Sequence, residues 1–173
     1  TLDIGPGCPT GVMSGLGSKF PAKYQDAIYA FDWTYGTIYA IHMTQDGSSY
    51  SAEKEEFVTG VPLNVTDGVI GKDGNMYFAV GGRGTQSALY RVKYSGSDST
   101  AAIKSKVSSE TKLREIRSSM AAFHGKAVPG SIDKIWPNLG HEDRFIRYSA
   151  RVALEHQPVV EWQEKALEEE DPQ

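Results

Sequence analysis

Apolar and polar positions alternate along the first half of the chain, and glycine-bearing turns interrupt the alternation at short intervals. The plainest stretch is Thr66 to Tyr94, TDGVIGKDGNMYFAVGGRGTQSALYRVKY. There, three β-rich runs are separated by Lys72-Asp73-Gly74 and by Gly81-Gly82-Arg83-Gly84. Asp-Gly between alternating runs predicts a hairpin, because a tight turn needs positive φ and glycine reaches it without steric cost. Met76–Val80 and Ala88–Tyr94 are aromatic and β-branched, which suits half-buried pleated positions. A meander this short cannot stand alone in water, so it requires neighbours.

Upstream, Ala27–Trp33 (AIYAFDW) and Thr37–Met43 (TIYAIHM) predict two strands joined through Thr34-Tyr35-Gly36. Both parities are apolar in each run, so both faces are expected to be covered. Gln45-Asp46-Gly47 marks another hairpin, and Tyr50–Thr59 alternates as a charged edge strand does. The first 22 residues, rich in Gly and Pro, predict irregular chain with one brief strand around Gly11–Met13, then a polar lead-in at Lys23–Asp26. Turn signals about every ten residues are the rhythm of a sandwich, barrel or propeller. The loose echo of D-W-x-x-G-x-I-Y-A-I-H-M-T-Q-D-G in I-G-K-D-G-N-M-Y-F-A-V-G-G favours the propeller.

The period changes after Tyr94. Ser95–Thr100 (SGSDST) is a small-polar stretch, and the expected division is a β part over 1–94, a linker over 95–107 and a helical part over 108–173. Leu113, Ile116, Met120 and Phe123 share one helical face, with Ser109 as N-cap, Glu110 at the positive end and Gly125 as the stop. A second short helix is predicted over Ser131–Trp136, halted by Pro137. A third, Glu142–His156, is expected to bury Phe145, Tyr148, Ser149 and Val152, with Ala150, Ala153 and Leu154 widening that surface. Pro158 opens a fourth that runs into the acidic end, Glu168-Glu169-Glu170-Asp171. Four short helices with small residues at their contacts describe an array of helical hairpins.

Composition narrows the function classes. The chain has 173 residues, 39% hydrophobic and 23% charged, with a formal charge of -4. Basic and acidic side chains number 7 and 9 up to Tyr94, and 11 and 13 beyond it, so neither half carries the electrostatic footprint of a nucleic-acid binder. Cys8 is the only cysteine, which excludes an internal disulfide, a CxxC redox motif and haem attachment through Cys-x-x-Cys-His within this chain. No apolar run reaches the length of a bilayer crossing, and no signal-peptide pattern is present.

Candidate chemistry is sparse. Asp67 can serve a ligand or cation at a channel mouth, or close a turn on backbone amides. Gly81-Gly82-Arg83-Gly84-Thr85 can form an anion site from amides and a guanidinium, or a structural turn; a strand rather than a helix follows it, unlike a phosphate loop. His42 reads as a satisfied core histidine rather than a general base. His124, His141 and His156 stand at helix ends without zinc-ligand spacing, and the helix dipole accounts for the first and last. Asp143 and Arg147 are one turn apart, an exposed structural pair. Trp33, Trp136 and Trp162 read as packing anchors, each with an N–H to satisfy. Asp67 and Arg83 are therefore the candidate cofactor-binding residues; no catalytic or metal-ligating residue is assigned.

Two patterns carry a family resemblance. Gly7 to Tyr94, with FPAKYQDAIYAFDW, GTIYAIHMTQDG and TDGVIGKDGNMYFAVGGRGTQSALYRV, resembles the last blades of a glucose/sorbosone dehydrogenase-type propeller. The likeness is to membrane-bound dehydrogenase-like proteins that join this propeller to HEAT repeats and a c-type cytochrome domain, the PVC-type haem-binding CxxCH group. Asp143-Arg144-Phe145-Ile146-Arg147, followed by Ala150, Ala153 and Leu154, looks like the inner helix of a HEAT repeat. The resemblance implies a partial β-propeller followed by HEAT-like hairpins. It also implies an exported, periplasmic or extracytoplasmic parent that oxidises a sugar or alcohol and passes electrons to haem c. Pyrroloquinoline quinone and calcium are the parent's implied cofactors. The remaining blades and a cytochrome c domain are implied partners in cis, and the catalytic histidine belongs to earlier blades, so this chain alone is expected to be inactive. Where such dehydrogenases place basic residues before the aspartate matched by Asp67, this chain has Asn64, Val65 and Thr66. The alternative is a non-enzymatic propeller/HEAT module that binds protein or glycan.

Overall fold

The computed structural model describes residues 2–104 and 112–170. Within them the chain is of mixed β and α structure, with one four-stranded and one three-stranded antiparallel sheet and five α-helices. It divides into two compact units: Thr1–Thr44 with Ser51–Lys106, and Gln45–Tyr50 with Val107–Gln173. Ser109 and Glu110, expected at the start of a helix, lie outside the described residues.

In the β unit, the first sheet is laid down in sequence order from β1 (Pro9–Ser14), β2 (Ile28–Asp32), β3 (Thr37–Asp46) and β4 (Ser49–Thr59). The second follows as β5 (Val65–Ile70), β6 (Met76–Gly82) and β7 (Thr85–Val92). Strands appear where alternation and turn glycines predict them, and the charged run becomes the edge strand β4. The first strands of the two sheets lie side by side, with the Thr10 hydroxyl donating to the Val65 carbonyl at 2.8 Å.

Phe31 occupies the centre of this approach. Its register partners are Gly11 on β1 and Ile38 on β3, and it joins Tyr29, Ile38, Val65, Met76 and Phe78 in one core. A Cβ placed on Gly68 of β5 would meet the Phe31 ring at 2.7 Å, and one on Gly11 at 3.0 Å. Two glycines thus make room for one aromatic ring, and the sheets close on it.

The polar lead-in folds into a single helical turn, α1 (Ala22–Gln25), and its last residue is buried. The Gln25 amide donates to the Phe20 and Ala101 carbonyls at 2.8 and 2.9 Å, and its oxygen accepts from the Ile103 N–H at 3.1 Å. A buried amide must be paired this way to avoid a penalty of a few kcal/mol. Gln25 therefore fastens residues 101–103, within the expected linker, to the β unit.

The helical unit contains α2 (Lys112–Ala121), α3 (Ile132–Ile135), α4 (Arg144–Glu155) and α5 (Gln163–Leu167). Pro137 ends α3 by carrying the chain into a 3-10 turn, Trp136–Asn138. The buried face of α4 is Ile146, Ser149, Ala150, Ala153 and Leu154, whereas Tyr148 is 59% exposed and Phe145 half-buried. Ser149, Ala150, Ala153 and Leu154 are thus buried as expected and Ile146 joins them: small residues let α2 approach closely, and the aromatic rings are displaced to the rim. Gln157 repeats the device of Gln25. It is buried, donates to the Lys126 and Ala153 carbonyls, and accepts from the Val128 N–H.

Candidate functional site

The β6–β7 hairpin pairs Gly82 with Thr85, leaving Arg83-Gly84 as a two-residue loop with φ of 49° and 77°. Positive φ at both positions defines a type I′ turn, whose twist matches that of the strands. Arg83 is the only non-glycine residue with positive φ among the described residues. The turn projects its guanidinium over the indole of Trp33, 5.1 Å from the ring centroid. Trp33 is itself held by its Nε1–H, which donates to the Gly81 carbonyl at 2.8 Å.

This pair forms one wall of an open concavity of about 880 Å³, lined also by Cys8, Thr10, Thr66 and Ser87. The Thr10 and Thr66 hydroxyls donate to the Val65 and Ala79 carbonyls, at 2.8 and 3.1 Å, so they present acceptor lone pairs to the cavity. The surface can stack and hydrogen-bond a ligand, but it contains no acid–base pair. Asp67 does not line it. It follows a bulge in β5, is exposed, and accepts the N–H of Gly68 at 2.8 Å. Asp67 and Arg83 are both on the second sheet, yet the fold does not join them in one site.

A second constellation, around Glu55, was not visible in the sequence. Lys23 Nζ and the Tyr24 hydroxyl reach its two carboxylate oxygens at 2.5 and 2.8 Å, and His42 Nε2 lies 3.1 Å from one of them. His42 is satisfied as expected, though at a half-exposed carboxylate rather than in the core. Tyr24 and Tyr29 both pack their rings on Phe57 of β4, which braces the cluster. The hydrogen bond from Lys23, followed by those from Tyr24 and His42, holds the Glu55 carboxyl well below the usual range, at about 2. Its folded pKa is depressed, so its contribution is present above the ordinary value of 4.5 and is lost as pH falls toward about 2. Glu55→Gln is expected to flatten the acid limb of the β unit's stability in that window. The effect at neutral pH is about 1 kcal/mol or less, because the group is solvent-screened. Urea midpoints measured across the acid range check this; an unchanged acid limb would contradict the cluster.

The remaining histidines are satisfied by neighbouring backbone groups. His124 Nε2 faces the Ser149 carbonyl at 2.8 Å, His156 Nδ1 faces the Val152 carbonyl at 2.8 Å, and His141 Nδ1 accepts the Asp143 N–H. Arg147 donates to the His141 and Glu142 carbonyls, while Asp143 caps α4 through the Phe145 and Ile146 amides. Each of these two residues thus has backbone partners of its own. The indole N–H groups of Trp136 and Trp162 reach Glu169 and the Gln157 carbonyl.

Among the described residues no group of three His, Cys, Asp or Glu side chains could hold a metal ion. Nor is any helix there long and apolar enough to cross a membrane. Compared with known proteins, the chain matches no family model, no curated sequence and no solved structure.

Proposed function

We propose that the β unit is two successive blades of a β-propeller, and that the helices begin a HEAT-like array. Together they would form the join in an exported dehydrogenase-like parent that oxidises a sugar or alcohol and delivers electrons to a c-type haem domain. The observation that carries the reading is the layout of the two meanders. Each is wound in sequence order, β1 lies beside β5, and β7 is an exposed edge strand of the second sheet. Val69 and Leu89, 60% and 72% exposed, share a face with half-buried Tyr77 and Ala79 and with the charged Asp67 and Arg91. Exposed apolar side chains beside an open sheet edge are surface that a further blade would cover.

The side chains in hand do not fit calcium or pyrroloquinoline quinone on their own. Asp67 is a lone carboxylate engaged with its neighbouring amide, and Arg83 is stacked on Trp33 elsewhere on the sheet. No step of the reaction is therefore assigned to this chain, and its contribution to the parent is architectural.

The test compares the full-length parent with residues 1–173, each given the quinone, calcium, a sugar and alcohol panel, and a dye acceptor. Dye reduction by the parent and none by the chain alone is expected. A parent that reduces no dye but retains glycan or protein binding would replace this reading with the binding module.

A further inference from the structure

Charge is sorted on the helical unit in a way its composition does not require. Between Lys112 and Glu170 there are nine basic and ten acidic side chains. One cavity of about 1220 Å³ gathers four of those bases, Arg117, Arg144, Arg147 and Arg151, and a single acid, Glu169. A net-acidic unit thus presents a basic concave face.

The arginines are held rather than splayed. Arg117 and Arg144 flank the Phe145 ring at 5.7 and 5.2 Å, and Arg151 lies over Tyr148 at 5.4 Å. Arg117 is further tethered to the Ser48 carbonyl at 2.9 Å, and Arg147 to the carbonyls of His141 and Glu142 at 2.6 and 3.0 Å. A guanidinium stacked on an aromatic face keeps its in-plane N–H fork for carboxylates, and ordering it beforehand lowers the entropy lost on binding. The ion pair of Arg151 with Glu155, one turn on, is exposed at 3.4 Å and therefore weak.

Arg144, Arg147 and Arg151 recur at helical spacing over about 10 Å of α4, the reach of a three-residue extended segment. Four guanidinium groups against a single lining carboxylate make the hollow complementary to acidic groups. Glu169, in the run Glu168-Glu169-Glu170, takes the Trp136 indole N–H at 2.8 Å.

We propose that this face docks an extended acidic peptide, a short run of Asp and Glu from a partner protein, with carboxylates on the arginine forks and its backbone along the Phe145 and Tyr148 rings. Glu169 is a weak competitor in cis. This does not depend on the dehydrogenase reading, which concerns the β unit.

The test uses the whole chain and a fluorescein-labelled Glu-Glu-Glu-Asp peptide, followed by anisotropy. Saturable binding is expected, weakened about tenfold or more by R144E/R151E and by added salt. E169Q should tighten it a few-fold. R144Q/R151Q serves if the charge reversal perturbs the melt. A phosphoserine peptide, an oligonucleotide and a Lys-rich peptide are run beside it. Absent binding, or binding indifferent to both arginine pairs, would overturn the proposal. So would tighter binding of the phosphopeptide or the oligonucleotide. Sedimentation showing a dimer that R144E dissolves would do the same, by making a second copy the occupant.

Discussion

Phe31→Ala should destabilise the β unit by about 3–5 kcal/mol, a large fraction of what holds a domain of this size together. The ring has no exposed surface and sits where β1 and β5 meet. Its removal deletes contacts to both sheets at once, and the glycines beside it have no side chain with which to fill the space. In urea the midpoint should fall by about 1–5 M, for an m-value near 1–3 kcal/mol/M. Far-ultraviolet circular dichroism and the combined emission of the three tryptophans would report it. A reciprocal change sharpens the test. Gly68→Ala alone brings a methyl 2.7 Å from the ring and should destabilise; in the Phe31→Ala background that penalty should shrink to what the 3.1 Å approach to the Tyr77 carbonyl costs. A loss under about 1 kcal/mol for Phe31→Ala, or strict additivity of the pair, would show that the sheets do not close on this residue.

Asp143→Ala is the counterpart in the helical unit, which includes the hairpin tip Gln45–Tyr50. One carboxylate oxygen accepts the Phe145 and Ile146 amides and the Ser48 hydroxyl, and the other accepts the Ser48 N–H at 2.8 Å. Loss of the cap costs about 0.5–2 kcal/mol, and orphaned donors at buried Ser48 add about 1–3. A total near 2–4 kcal/mol is expected, severe for so small a core. The pH dependence has a definite sign. Partial burial pushes the Asp143 carboxyl up, but the hydrogen bonds from Ser48, Phe145 and Ile146 outweigh it and the net shift is downward. Its stabilisation is therefore complete above the ordinary value of 3.8 and fades as pH falls through the lower folded value. Asp143→Asn should remove that acid-side fading while preserving one acceptor. Helical circular dichroism through a denaturant series at several pH values reads both effects. An Asp143→Ala protein as stable as wild type would refute the role.

Asp143 also shows how far a linear reading reaches. Its position at a helix start was legible, and one turn to Arg147 was enough to suggest a pair. The fold gave each residue backbone partners instead, because the carboxylate lies beside a hairpin tip ninety-five positions away in the chain. The β half was easier to read. Turn glycines with positive φ at Gly36, Gly47, Gly74 and Gly84 stand where Asp-Gly and related signals placed them. The strands between them match the alternation because both depend on nearest neighbours. On α4 the same logic held for Ser149, Ala150, Ala153 and Leu154, which are buried as expected, but it missed Ile146 and placed Tyr148, which is exposed, in the core.

The candidate site divides along the same line. The Gly82-Arg83-Gly84 turn is dictated by local backbone preference, so its chemistry could be read from five letters. That Arg83 lies on Trp33, that Glu55 collects Lys23, Tyr24 and His42, and that four arginines share one hollow could not. Strand, turn and helix placement follow from interactions within a few residues, and this chain's order of letters is sufficient for them. Which polar groups are buried, paired or gathered into a surface depends on the packing of segments tens of residues apart. Those contacts leave no periodic trace along the chain, and they exist only once the sheets and helices have closed.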